Sequence, residues 1–174
     1  CERADVILLG EFHPLPSACR TAVELLERLQ RRGGCTLALE MVHARDQAAL
    51  DLLIAGRIGE AEFRRRIRYR EEWGYPWSEP ARLLRTARRL GVPVVGLDIP
   101  PRGGVADLAW RDRVAADRLA LQIGRRGRPR RLVVVFGDED LARPHLPRRL
   151  AAAAPRPLRI VRVLHDLELR RPAR

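Results

Sequence analysis

Four apolar runs in this chain each end in residues able to hold or move a proton. They are Gly10-Glu11-Phe12-His13, Glu40-Met41-Val42-His43, Asp98-Ile99-Pro100-Pro101-Arg102 and Gly137-Asp138-Glu139-Asp140. In an open sheet of parallel strands the carboxyl ends line one crevice. Carboxylates and imidazoles gathered there repel or share protons unless a cation stabilises them. An acid after one strand commonly caps the next helix; four such ends point to a polar cluster built from Glu11, His13, Glu40 and an acid of the 138–140 loop. Glycine at 10 and 137 allows a tight turn that exposes the side chains after it. His43 is expected to open the following helix, and His165 to be an ordinary structural histidine.

The elements that would position these groups follow from hydrophobic periodicity. Strands are expected at Asp5–Gly10, Thr36–Glu40, Pro93–Asp98, Leu132–Gly137 and Arg159–Leu164. The first four are nearly unbroken in Val, Ile and Leu, as in strands covered on both faces; the fifth alternates and suits an edge. Helical spacing appears at Ala22, Leu25, Leu26 and Leu29, at Leu83, Leu84, Ala87 and Leu90, and at Val114, Ala115, Leu119 and Ile123. Between Met41 and Val92 one helix is expected over 44–56 and a second from Glu60, continuous to Trp73 and broken at Pro76. The fold class is therefore α/β: three layers, a mostly parallel central sheet of about five strands, and helices on both faces, in a single domain over 1–174.

Composition narrows the function classes. With 46% hydrophobic and 32% charged residues the 174-residue chain is an ordinary globule rather than a disordered or fibrous one. No apolar run approaches the roughly 20 residues of a membrane-spanning helix. The net charge of +12 invites a nucleic-acid reading. Every one of the 34 cations is arginine, however, and aromatics are only 5%, so stacking platforms are scarce. The arginines of 64–70 and 125–131 read as solvated faces, and nucleic acid is not the expected partner. Cys1, Cys19 and Cys35 fit neither a disulfide framework nor a zinc ribbon. A chain opening on Cys1 is read as an excerpt of a longer protein, with an acylated lipoprotein cysteine as the other reading.

Taken together, Gly10-Glu11-Phe12-His13, Ala38-Leu39-Glu40-Met41, Leu53-Ile54-Ala55-Gly56 leading to Glu60-Ala61-Glu62-Phe63, the tryptophan-containing turn Trp73–Trp77, and Gly137 with Arg143-Pro144-His145-Leu146-Pro147 resemble the ChaN-like haem-binding uptake family. That family is grouped with the Tiki proteases and erythromycin esterases. The resemblance runs from about Ala4 to His165. It implies a bacterial, often lipid-anchored α/β domain that binds haem in iron acquisition, in the cell envelope rather than the cytoplasm, with a homodimer stacking two haems left open. In the wider superfamily the G-E-x-H motif and the acid after strand two form the catalytic or metal centre, which carries over to Glu11, His13 and Glu40. Asp140 stands where relatives usually place a histidine, and Pro80 where a haem-ligating tyrosine is expected.

Two functions follow as expectations. The first is haem binding at the carboxyl ends of the strands, with Tyr75 or His13 as ligand, Trp73 and Trp77 as walls, and Arg102, Arg143 and His145 among the groups receiving the cofactor or another small anion. The second is a hydrolase in which Glu11, His13, Glu40 and Asp140 hold a divalent metal ion, Glu11 or Glu40 serves as general base, and His13 carries a proton.

Overall fold

The computed structural model describes residues 3–11, 17–99, 104–123, 131–137, 141 and 145–164. Among them run β1 (Val6–Glu11), α1 (Ser17–Gln30), β2 (Thr36–His43), a 3₁₀ turn (Ala44–Asp46), α2 (Gln47–Ile54), α3 (Glu60–Arg66), α4 (Tyr69–Glu72), α5 (Ser78–Leu90), β3 (Val94–Asp98), α6 (Gly104–Ile123), β4 (Leu132–Gly137), α7 (Leu146–Ala153) and β5 (Ile160–Val163). The strands form one sheet in the order β3-β2-β4-β1-β5, and every pairing is parallel.

Alternation along the strands builds two cores. Ile7 and Leu9 of β1, Leu37 and Leu39 of β2 and Val133 and Val135 of β4 face α1, α2, α3 and α5. Val6, Leu8, Ala38, Val134 and Phe136 face α6 and α7. Neighbouring side chains of a strand point to opposite faces, so a strand covered on both sides must be apolar throughout, as these are. The expected three-layer α/β architecture and the edge position of the fifth strand are both present.

Strand order decides where a ligand crevice can open. β1 and β2 lead into helices on one face, and β4, lying between them, leads into α7 on the other. Helices that part to opposite faces leave a crevice at the carboxyl ends of the strands between them. The carboxyl ends of β1, β2 and β4 therefore lie side by side at one edge.

Three local features go beyond the sequence expectation. β2 continues to His43, so Glu40 lies inside the strand and His43 closes it. Between Leu39↔Gly96 and His43↔Asp98 the register with β3 slips. β2 there spends four residues where β3 spends two, a bulge of the kind that re-aims side chains beside functional sites. Gly96 permits it: a Cβ at 96 would sit 2.8 Å from the Val42 carbonyl oxygen and 3.0 Å from that of His43.

The helix expected from Glu60 to Trp73 is instead two, interrupted at Arg68, which adopts a left-handed conformation with φ 51° and ψ 43°. Ile67 and Tyr69 are both buried, yet two positions apart they would point to opposite sides of one continuous helix. The left-handed residue between them turns Tyr69 back into the core. The third feature is at the edge strand β3, where the Gln47 amide donates to Val94 O and accepts from Gly96 N, both at 2.9 Å, while Arg118 Nε donates to Gly96 O at 3.0 Å. Side chains thus complete the ladder of an otherwise open edge.

Candidate functional site

Glu40 is the centre of the described polar cluster. The bulge carries it to the edge of the sheet, where Oε2 accepts the Gly137 backbone N–H at 2.6 Å and Oε1 accepts Arg111 Nη2 at 2.7 Å. Arg111, from the first half of α6, also donates from Nε to Asp98 Oδ1 at 2.8 Å. One guanidinium thus ties the carboxyl ends of β2 and β3 together, and the Gly137 amide joins the end of β4 to the same Glu40 carboxylate. The backbone of Glu11 is in register with Gly137, which brings the end of β1 to the same place. Asp98 is wholly buried, and Glu40 and Arg111 are each 12% exposed. Charges so far from water persist only when paired and hydrogen-bonded, and the planar fork of arginine meets two carboxylates at once.

The network continues through His43. Its Nδ1 lies 3.7 Å from Asp98 Oδ2 and its Nε2 lies 3.3 Å from Glu72 Oε2. Arg45 Nη2 donates to the other Glu72 oxygen at 3.1 Å. Burial works against the Glu72 charge, but the hydrogen bond and charge of His43, together with Arg45, outweigh it and hold the carboxyl below its usual range. The Trp73 ring sits 5.5 Å from the imidazole. His43 is therefore enclosed between two acids and an indole, with neither ring nitrogen facing solvent.

The aromatic turn after α4 is built largely into the core. Tyr69 meets Trp77 edge-on at 4.8 Å and Tyr75 edge-on at 5.5 Å. Trp77 Nε1 donates to Glu60 Oε2 at 2.9 Å, and Arg85 binds Glu60 through Nε at 2.6 Å and Nη2 at 2.8 Å. Those bonds anchor the turn to α3 and α5. Trp73, against His43, is the member of the three that reaches the polar network.

A second cluster lies one residue further along α6. Asp112 is completely buried, and its Oδ2 lies 3.1 Å from His145 Nδ1 and 3.9 Å from Arg149 Nε. Burial pushes the Asp112 carboxyl upward against the opposing pull of His145, Arg149 and Arg111. Its Oδ1 has no hydrogen-bond partner among the described residues.

Of the residues singled out from the sequence, Glu40, Trp73, Tyr75, Trp77 and His145 are described with their side chains. Glu11 is described as a strand residue, and His13, Arg102, Asp140 and Arg143 lie outside the described residues, as do Asp138 and Glu139. Among the described residues no group of three or more His, Cys, Asp or Glu is arranged to hold a metal ion, and no helix is long and apolar enough to cross a membrane. Sequence reasoning missed Arg111, Asp112 and Glu72. Asp112 did leave a signal: it precedes Ala115, Ala116 and Leu119 at the i, i+3, i+4, i+7 spacing of a buried stripe, where an acid has no ordinary place.

Fold and site define a three-layer, all-parallel α/β domain with a charged network at the carboxyl edge of its sheet. The family model described as haem-binding uptake, Tiki superfamily, ChaN matches residues 1–106, and the chain belongs to that family. Among solved structures, one reported as cofacial heme binding to ChaN of Campylobacter jejuni is similar with a TM-score of 0.68 at 16% identity, over 94% of this chain and 82% of that one. The C-terminal region of Pasteurella multocida toxin, reported to hold a thiol-protease-like catalytic triad, gives a TM-score of 0.69 at 12% identity, over 94% of this chain and 23% of that one. RRSP, a MARTX toxin effector domain from Vibrio vulnificus, gives 0.64 at 21% identity, over 92% and 33%. At these identities the likeness is one of fold. The chain spans a third or less of the two toxin chains. No curated protein sequence matches it.

Proposed function

We propose that this chain binds haem at the carboxyl edge of its sheet, in the crevice between β1, β4 and β2. Membership of the haem-binding uptake family carries this reading. The described residues fit the cofactor in three respects. His145 offers an imidazole that is one-third exposed and, among the described residues, bonded through Nδ1 alone. Arg149, beside it and 32% exposed, offers a guanidinium for a propionate. Trp73 offers a half-buried indole as wall. Arg102 and Arg143 are proposed as further propionate partners on sequence grounds.

The hydrolase reading assigns Glu40 to a metal ion or to proton abstraction. Both of its carboxylate oxygens are already engaged, by Gly137 and Arg111, which favours an anchoring role for this acid. Haem and divalent-metal content measured on one sample, produced with haem supplied and purified without chelator, separates the readings. Haem near stoichiometric amounts, with no stoichiometric metal beyond the haem iron, is expected. Stoichiometric zinc, manganese or iron in a sample free of porphyrin would overturn the haem reading.

A further inference from the structure

We infer that His145 would supply a ligand to the iron of bound haem, presented through Nε2 and held in place by the buried Asp112. The inference rests on the haem-binding reading and adds to it the atom that meets the metal. Two histidines are described with side chains, and their surroundings differ. His43 is 1% exposed and has a carboxylate near each ring nitrogen, so ligation would require taking its network apart. His145 is 33% exposed, its Nδ1 is bonded to Asp112 Oδ2 at 3.1 Å, and Nε2 has no partner among the described residues.

Its position suits the task. α6 follows β3, α7 follows β4, and both begin at the carboxyl edge of the sheet. Asp112 adjoins Arg111, which reaches Glu40 and Asp98, so the two clusters share one turn of α6. His145 precedes the first residue of α7 but makes no side-chain capping bond there; the ring is given to Asp112 instead. A carboxylate accepting from Nδ1–H fixes the tautomer with its lone pair on Nε2 and strengthens that nitrogen as a donor to metal, the usual second partner of a metal-bound histidine.

A purely structural tie between α6 and α7 explains the pair less well. Burying a carboxylate with one oxygen unbonded is costly, and an apolar pair would join two helices at no such cost. Burial of the acid with partial exposure of the imidazole is the arrangement expected of a ligand and its positioning residue.

The test is haemin titration of the full chain and its variants, read by absorption and electron paramagnetic resonance and by reduction potential. Wild type is expected to give a nitrogen-ligated ferric spectrum. His145→Ala is expected to lose that spectrum and bind at least about tenfold more weakly, with added imidazole restoring the signature. His145→Cys, which keeps a donor, is expected to shift the spectrum to that of a thiolate. Asp112→Asn is expected to weaken binding about tenfold and raise the potential, since the imidazole loses its anionic partner. Circular dichroism checks that each variant folds. If folded His145→Ala and His145→Cys bind haemin with the wild-type spectrum, the ligand assignment is wrong and haem binding stands. If wild type itself binds no haemin, both fall.

Discussion

Arg111 Nη2 lies 2.7 Å from Glu40 Oε1, an ion pair that joins α6 to β2 across 71 residues of sequence. The same guanidinium reaches Asp98 at 2.8 Å, so a single cation balances two acids at the sheet edge. Removing one partner of a buried charge cluster leaves the others uncompensated, at a cost of about 3–5 kcal/mol. Arg111→Ala is accordingly expected to lower the unfolding free energy by about that amount in urea titration. Arg111→Lys should fall between, because one ammonium cannot span both carboxylates. A loss for Arg111→Ala no larger than that of an exposed arginine would show that the network is not the tie described.

Gly96 and the β2 bulge provide a second test. Gly96→Ala would set a methyl group 2.8 Å from the Val42 carbonyl oxygen, against backbone that has no rotamer in which to escape. The expected cost is about 1–3 kcal/mol, read as a lowered thermal midpoint. Because the bulge aims Glu40, haemin affinity should fall with it. Unchanged stability would mean that β2 and β3 have more room than their register implies.

The pH dependence of stability has a defined limb at Glu60. Its hydrogen bond from Arg85 holds the carboxyl below the usual glutamate range, assisted by Trp77 and against the opposing effect of burial. A depressed folded-state pKa gives stability that is present above the unfolded value and is lost as pH falls through the folded one. Wild type should therefore lose more stability than Glu60→Gln as pH drops below about 4.5, by roughly 1 kcal/mol for a pair this near the surface. Parallel stability curves for the two proteins on that acid limb would contradict the assignment.

Arg68 supplies a prediction in the opposite direction. A non-glycine residue in the left-handed region costs about 1–2 kcal/mol, and Arg68 is exposed. Arg68→Gly relieves that strain while gaining some unfolded-state entropy, so a net stabilisation of about 0.5 kcal/mol is expected. A rise of about 1–2 °C in thermal midpoint is the corresponding readout; a fall would place the strain elsewhere.

These residues also separate what sequence could and could not tell. The sheet was legible because strands covered on both faces must be apolar throughout, and Val6–Leu9 and Leu132–Phe136 have no other reading. The convergence of Glu11, Glu40 and the end of β4 followed from parallel strands alone. The break at Arg68 was not legible, since no glycine or proline marks it and its cause is the joint burial of Ile67 and Tyr69. Nor was the engagement of Glu40 by Arg111. Which turn of α6 meets the sheet edge depends on how that helix packs, and no local spacing encodes it.

The most direct test of the central claim is titration of the full chain with haemin, followed at the Soret band. A shifted band that saturates at about one haem per chain, and that moves when His145 is replaced by Cys, is the predicted result. A spectrum that stays that of free haemin at every ratio, with no saturation, would contradict the account.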